Sequence, residues 1–227
     1  MFLPLHDRNP IRHVKFPFVT YGLIALNVIV FLLQQSLPGR NHEGIVVAFG
    51  LIPAVLTTGI EAPLPGFPEP LALITYAFLH ADWLHLLSNM LFLWIFGDNI
   101  EDALGHLKFL LFYLCCAVLA GLAHVAFNAG SLGPLVGASG AVAGVMGAYI
   151  LLYPHARVYV LFRIVIPIPL PLPAMWMLGV WIAMQLFYAV AAADEPIAWW
   201  AHIGGMVSGV ILAIPLRRRE VPLWGGR

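Results

Sequence analysis

Ser139 stands in the string Gly137-Ala138-Ser139-Gly140 at the start of an almost purely apolar segment, and His202 is the lone ionisable residue of a second such segment, Ile197 to Leu216. An ionisable side chain at membrane depth is costly enough to be read as functional, with a partner to be found. A serine hydroxyl is a weak nucleophile until a neighbouring base takes its proton, and a neutral imidazole is such a base. His85 and Asn89 are four positions apart, which on a helix places them on one face, about 40° apart around the axis. Both side chains can donate hydrogen bonds. Together with the Ser139 amide at a helix start, they suit an oxygen that becomes negative during acyl transfer. Cys115 and Cys116 are adjacent in an apolar run and read as packing residues, supporting neither a disulfide framework nor a metal site. No metal and no cofactor is implied.

Each of these residues also has a plain packing explanation. A serine in a membrane helix commonly bonds a carbonyl one turn back, and a histidine near a span end can be an interfacial group. Asn89 alone would read as an interhelical hydrogen bond. His80 and Asp82 lie near an outer helix end and His124 has no evident chemical partner, so all three take structural readings. The combination of nucleophile, base and paired donors on three segments outweighs those single readings. A soluble G-x-S-x-G elbow is a poor match, because residue 141 is Ala and no strand precedes it.

The elements that must position these groups are set by composition. With 61% hydrophobic and 10% charged residues, the 227-residue chain reads as one polytopic membrane domain, and its net charge of zero argues against a nucleic-acid partner. The expected fold is all-α, with six transmembrane segments over Val19–Gln35, Leu71–Phe96, Leu107–Phe127, Ser139–Tyr153, Ala174–Ala193 and Ile197–Leu216. Residues 1–18 form an N-terminal segment, 19–216 the membrane domain and 217–227 a basic tail. The polar stretch Met1 to Lys15 lacks the features of a signal peptide. If that end is cytoplasmic, Arg8, Arg12, Lys15, Lys108, Arg157, Arg163, Arg217, Arg218, Arg219 and Arg227 all lie inside and only Arg40 lies outside, so both termini are expected in the cytoplasm. Proline at every second position from 167 to 173 excludes a helix there and predicts an extended apolar connector. In the first loop, Ser36 to Pro70, the apolar piece Val46–Leu56 is too short to cross and is expected in the outer interface. Neither an internal repeat nor a soluble domain is visible.

The fourth segment is short. Fifteen residues at about 1.5 Å each span roughly 22 Å against about 30 Å of hydrocarbon, which sinks Ser139 some 8 Å below the outer surface. His202, sixth in a segment entering from the same side, reaches about 7 to 8 Å by the same rise. The irregular stretch Asn128–Ala138 must then be buried in protein or line a watery cavity. Gly140, Gly144 and Ala148 on one segment, and Gly205, Gly209 and Ala213 on the other, form small-residue faces at four-residue spacing that let two helix backbones approach.

These residues resemble the rhomboid family of intramembrane serine proteases. The resemblance rests on His85-x-x-x-Asn89, Gly97-x-x-x-Glu101-x-x-x-Gly105, Gly137-Ala138-Ser139-Gly140 and Ala201-His202-x-x-Gly205, in the family's order over roughly Thr75 to Gly209. It implies a Ser139–His202 dyad without a triad acid, an oxyanion site of His85, Asn89 and the Ser139 amide, a structural Glu101, and cleavage of single-span or polytopic membrane proteins within the bilayer. It also suggests lateral entry between the second and fifth segments, where Trp176, Trp181, Phe187 and Tyr188 are expected to pack against Phe92 and Trp94. Two departures stand out. An aromatic often found four residues after the serine is Ala143 here, and a Trp-Arg pair often found before the second segment reads Leu71-Ala72. The expected setting is a bacterial plasma membrane. Two other readings are a catalytically inactive relative that binds membrane clients, disfavoured because Ser139 and His202 are both kept, and a transporter, whose repeated or charged half-helix motifs are not visible.

Overall fold

The computed structural model describes residues 2–36, 40–162, 168–191 and 198–225. In chain order the elements are β1 (Phe2–Asp7), α1 (Phe18–Ser36), α2 (Arg40–Phe49), α3 (Pro53–Thr58), α4 (Ala72–Thr75), α5 (Trp83–Leu104), α6 (His106–Phe127), α7 (Ser139–Leu152), β2 (Arg157–Phe162), β3 (Ile168–Pro173), α8 (Ala174–Ala191) and α9 (Trp199–Leu216). Among the described residues, α1, α6, α8 and α9 are long and apolar enough to cross a membrane, and a fifth candidate is the bent pair Glu69–Phe78 and Trp83–Leu104. The 14-residue α7 is shorter than any of these. The protein is an integral membrane protein built on apolar helices. The expected ends at Ala193 and Ile197, like Arg163, Pro167 and Arg227, lie outside the described residues.

The second expected segment is relocated. Leu71–Phe96 is not one helix: Glu69–Phe78 lies at 84° to α5. Leu79 is extended (φ −93°, ψ 148°), which ends the preceding 3-10 turn, and Asp82, also extended, starts a new helix by accepting the His85 amide at 2.8 Å. At its other end α5 runs on to Leu104, well past Phe96. Two of the acidic residues in this extension, Glu101 and Asp102, are satisfied inside the fold. Glu101 is fully buried and accepts the amides of Val19 and Thr20 at 3.0 and 2.7 Å, the Thr20 hydroxyl at 2.7 Å, and lies 2.5 Å from His106 Nδ1. Asp102 accepts the amides of Arg12, His13 and Val14 at 3.0, 2.5 and 2.7 Å. Gly105, with φ +85°, breaks the chain between α5 and α6 in a conformation that disfavours a side chain.

An antiparallel sheet of order β1-β2-β3 adds to the helices an element that an all-α expectation lacks. The proline-rich connector is extended, as its spacing predicts, and forms the edge strand β3. Alternate residues of a strand point their N–H groups to opposite edges, so Pro169, Pro171 and Pro173 remove donors from the outer edge alone and leave those of Ile168, Leu170 and Leu172 for β2. Such an edge cannot template another strand. Residues 2–14 are not a free tail, because β1 pairs with β2 and the following backbone is bound by Asp102.

The packing centre is α7, whose residues 140–149 are all buried and which sits against α9, α5 and α6. A Cβ at Gly205 would overlap the Gly140 carbonyl oxygen, and one at Gly209 that of Gly144. Only a missing side chain allows that approach. On the α6 side, a Cβ at Gly144 would lie 2.5 Å from Cys116 Sγ, and one at Gly140 2.6 Å from the Ala120 Cβ.

Candidate active site

Ser139 opens α7, and its Oγ lies 2.8 Å from His202 Nε2, the fourth residue of α9. The glycine contacts just described set this distance, because they bring α7 and α9 to backbone contact one turn below the pair. Ahead of Ser139 the irregular chain is pinned at successive points. Leu51 and Leu135 exchange backbone hydrogen bonds at 3.0 and 2.8 Å, Ala54 donates to the Ser131 carbonyl at 3.0 Å, and Gly137 donates to the Tyr76 carbonyl at 2.9 Å. The first-loop segment Val46–Leu56, expected at the outer interface, thus folds into the end of α2 and the start of α3 and is hydrogen-bonded to the chain leading to Ser139. His80, given a structural reading above, has its Nε2 3.5 Å from the Ala138 amide.

Gly137 has φ +120°, and a Cβ there would meet His85 Cε1 and Nε2 at 2.6 Å and stand 3.7 Å from Ser139 Oγ. The space a side chain would fill is therefore flanked by the imidazole edge of His85 and by the serine hydroxyl. No side chain caps α7 at Ala138, so the amides of its first turn are not taken by a capping group. Asn89 is buried in the same wall, and its amide nitrogen donates to the His85 carbonyl at 2.9 Å. A primary amide has two N–H donors. The backward bond occupies one and fixes the rotamer from which the other is offered.

These groups line a cavity of about 920 Å³, which also touches Phe92 on α5, His124 and Asn128 at the end of α6, Val142 and Met146 on α7, Trp181, Gln185 and Ala189 on α8, and Trp199 on α9. A pocket of this size that is mostly apolar with a few convergent polar groups is the form of a ligand or active site. Sequence reasoning overlooked Gln185, whose Oε1 lies 2.8 Å from His202 Nδ1. The signal was present, since Gln185 is the one amide in the apolar run Ala174–Ala191, and a lone polar residue in a span is the same criterion that selects His202.

The expected contact between α8 and α5 is corrected. Trp176 and Phe187 are each 64% exposed and face outward, Trp181 turns to His202 with ring centroids 5.7 Å apart, and Tyr188 stacks on Trp199 at 5.2 Å. The large rings lean on α9 or outward because α8 packs on α9, α7 and the sheet rather than on α5.

A serine and an imidazole in hydrogen-bond contact, beside amide and imidazole donors in one cavity, is an arrangement for attack on a carbonyl. The model of the Rhomboid domain matches residues 68–219. The chain belongs to the rhomboid family. It is 34% identical to Rhomboid protein 1, mitochondrial, of Saccharomyces cerevisiae over 85% of this chain and 51% of that protein, and 31% identical to Rhomboid protease GluP of Bacillus subtilis over 93% of this chain and 37% of that protein. It is also 29% identical to Presenilin-associated rhomboid-like protein, mitochondrial, of Homo sapiens over 83% of this chain and 46% of that protein. The chain thus spans about half or less of the length of these relatives.

Proposed function

We propose that this rhomboid is an intramembrane serine endopeptidase that cleaves membrane proteins near the outer face of the bilayer. Members of the family are in general intramembrane serine proteases. The observation that carries the reading for this chain is the 2.8 Å contact between Ser139 Oγ and His202 Nε2 in a cavity that His85 and Asn89 also line. Ser139 attacks the peptide carbonyl while His202 removes its proton and then gives it to the leaving amine. The oxyanion is held by the Ser139 amide, His85 and the second N–H of Asn89. A neutral imidazole is required for the first step, so activity falls on acidification.

A substrate helix has its carbonyls engaged in its own hydrogen bonds and must unwind before attack. The favoured substrates therefore carry Gly, Ala, Ser or other helix-weakening residues near the outer end of a span. They enter from the bilayer between α5 and α8, where Phe92 and Trp181 face one cavity and the two helices barely touch. Six membrane segments complete the bundle when α5 and the short α7 are counted with the four long helices. The Lys and Arg distribution favours both termini in the cytoplasm of a bacterial plasma membrane, which reporter fusions at each terminus test directly.

The deciding experiment compares wild type, Ser139→Ala, His202→Ala and the double variant. Both single variants should lose cleavage of a transmembrane substrate and labelling by a fluorophosphonate, and the double variant should be no worse than either, since the pair acts as a unit. Undiminished cleavage by either single variant would overturn the assignment. Binding of membrane clients by a wild-type protein that neither labels nor cleaves would establish the inactive reading.

A further inference from the structure

We propose that Gln185 is a positioning residue for His202: from α8, its amide oxygen holds the imidazole with the proton on Nδ1 and the Nε2 lone pair turned to Ser139. This deepens the reading of Ser139 and His202 as nucleophile and base and rests on it. The ring is gripped at both nitrogens, Nδ1 at 2.8 Å from Gln185 Oε1 and Nε2 at 2.8 Å from Ser139 Oγ. A neutral imidazole carries one proton. If it sat on Nε2, the ring could not accept the serine proton. An amide oxygen at Nδ1 favours the tautomer in which it can, because an oxygen accepts and cannot donate. After proton transfer the same bond becomes charge-assisted and stronger, so its contribution grows as the reaction proceeds, which is the kind of contact that raises turnover rather than binding.

A second observation points to the same helix. Trp181 lies one turn before Gln185 on the same face, with its ring centroid 5.7 Å from that of His202 and an interplanar angle of 40°. Ala143, fully buried four residues after Ser139, has only a methyl group and no ring to stack on the imidazole. Where α7 supplies no aromatic, α8 supplies one together with a hydrogen-bond acceptor. Gln185 is 7% exposed in an otherwise apolar helix, and burying an amide is unfavourable unless it is bonded. Its partner is His202.

The groups around the ring are few. Ser139 faces it from α7, Trp199 from its own helix, Trp181 and Gln185 from α8, while His85 on α5 and His124 on α6 are the other histidines sharing the cavity. Asp82, on the His85 side, is the one carboxylate among the described lining residues. No acidic side chain therefore occupies the place of Gln185, and replacing it by Glu has a signature of its own.

The test uses the full chain in detergent micelles, a fluorophosphonate that reaches Ser139 without a lateral-entry step, and a transmembrane peptide substrate. Gln185→Leu should slow labelling and kcat about ten- to a hundredfold, the scale of one hydrogen bond to a charged group, with KM nearly unchanged. Gln185→Glu should keep activity but move the acid limb of the labelling rate about one unit or more to higher pH, because a carboxylate beside the ring favours imidazolium. Labelling of Gln185→Leu at the wild-type rate, or an acid limb in Gln185→Glu superimposable on wild type, overturns the proposal. Should the Leu variant not fold, the Glu profile decides alone. Ser139→Ala separates the two levels: if it still labels, the nucleophile assignment falls and this proposal with it, whereas a dark Ser139→Ala beside a fully active Gln185→Leu removes only the role of Gln185.

Discussion

Replacing Gly137 by Ala adds one methyl group, and the structure says what it would strike. The new Cβ would lie 2.6 Å from both Cε1 and Nε2 of His85, so the ring must retreat by about 0.8 Å to reach ordinary contact at 3.4 Å. That ring is hemmed in, since the His85 backbone amide is bonded to Asp82 in the first turn of α5 and the ring meets that of His80 edge-on at 5.1 Å. The backbone pays as well, because φ +120° is rare for any residue with a side chain and holding it there costs about 1–3 kcal/mol. A catalytic group misplaced by about 1 Å can lose on the order of a hundredfold in rate. Gly137→Ala should therefore lower kcat by about a hundredfold while the protein stays folded, with a loss of stability within the strain just given. The assay is turnover of a transmembrane substrate alongside thermal unfolding in the same micelles. Gly130→Ala is the control in the same loop, since a Cβ there meets nothing within 4 Å and its φ is not positive. If Gly137→Ala cleaved at the wild-type rate, or if Gly130→Ala lost as much, the placement of His85 against the reacting carbonyl would be wrong.

Glu101→Ala leaves the amides of Val19 and Thr20 and the Thr20 hydroxyl without their buried acceptor; unfolding in denaturant should show a loss of about 3–5 kcal/mol, and a change under 1 kcal/mol would deny Glu101 its structural role. Gly209→Leu forces a side chain onto the Gly144 backbone, so α7 and α9 must part, and labelling of Ser139 should fall below one tenth of wild type even where the protein remains membrane-inserted; unchanged labelling would count against the helix contact as the source of the Ser139–His202 distance. Burial raises Asp7 to about 6, with Asp98 adding to the rise and the hydrogen bond from the Tyr149 hydroxyl opposing it. A folded value above the unfolded 3.8 means that the native state holds the proton more tightly, so this group's contribution favours folding in acid and is lost as pH rises from about 4 through 6. Hydrogen exchange of β1 should be better protected at pH 5 than at pH 8, and Asp7→Asn should remove the difference; equal protection of wild type at both values would refute the coupling.

The legible features were those written in residue types along one segment. Spacing alone placed His85 and Asn89 on one face and the glycines of α7 and α9 on facing stripes. Errors arose where charge or proline had to be judged without knowing partners. The expected second segment ends at Phe96, yet the helix runs on to Leu104, because Glu101 and Asp102 are met by backbone amides of the N-terminal segment, some eighty to ninety residues away in sequence. The break at Leu79–Asp82 was hidden because both sides of it are apolar. Alternating prolines correctly excluded a helix from β3, while the strand that pairs with it, β2, shows its nature in the β-branched and aromatic run Arg157-Val-Tyr-Val-Leu-Phe162, a signal that a reading for membrane helices passes over. The aromatic residues of α8 were assigned to the wrong neighbour for a related reason: hydrophobic size says that a ring will pack, not against what.

The loose seat of α8 bears on how the site can work. Helix α7 is gripped along its whole length, by backbone contact with α9, by Cys116 and Ala120 of α6, and through the Tyr149 hydroxyl by Asp7 of β1. A nucleophile carried on such a helix has little freedom to move. By contrast α8 leaves Trp176, Val180, Phe187 and Val190 more than half exposed and rests mainly on α9, the pattern of an element whose displacement buries or uncovers little protein surface. If substrate enters beside it, Gln185, the proposed positioning residue, moves with the gate while Ser139 stays. His202 would then be aligned once α8 has returned, after the substrate has displaced water from the cavity. That order protects against idle hydrolysis, and it follows from which helix carries Gln185 rather than from any property of the serine.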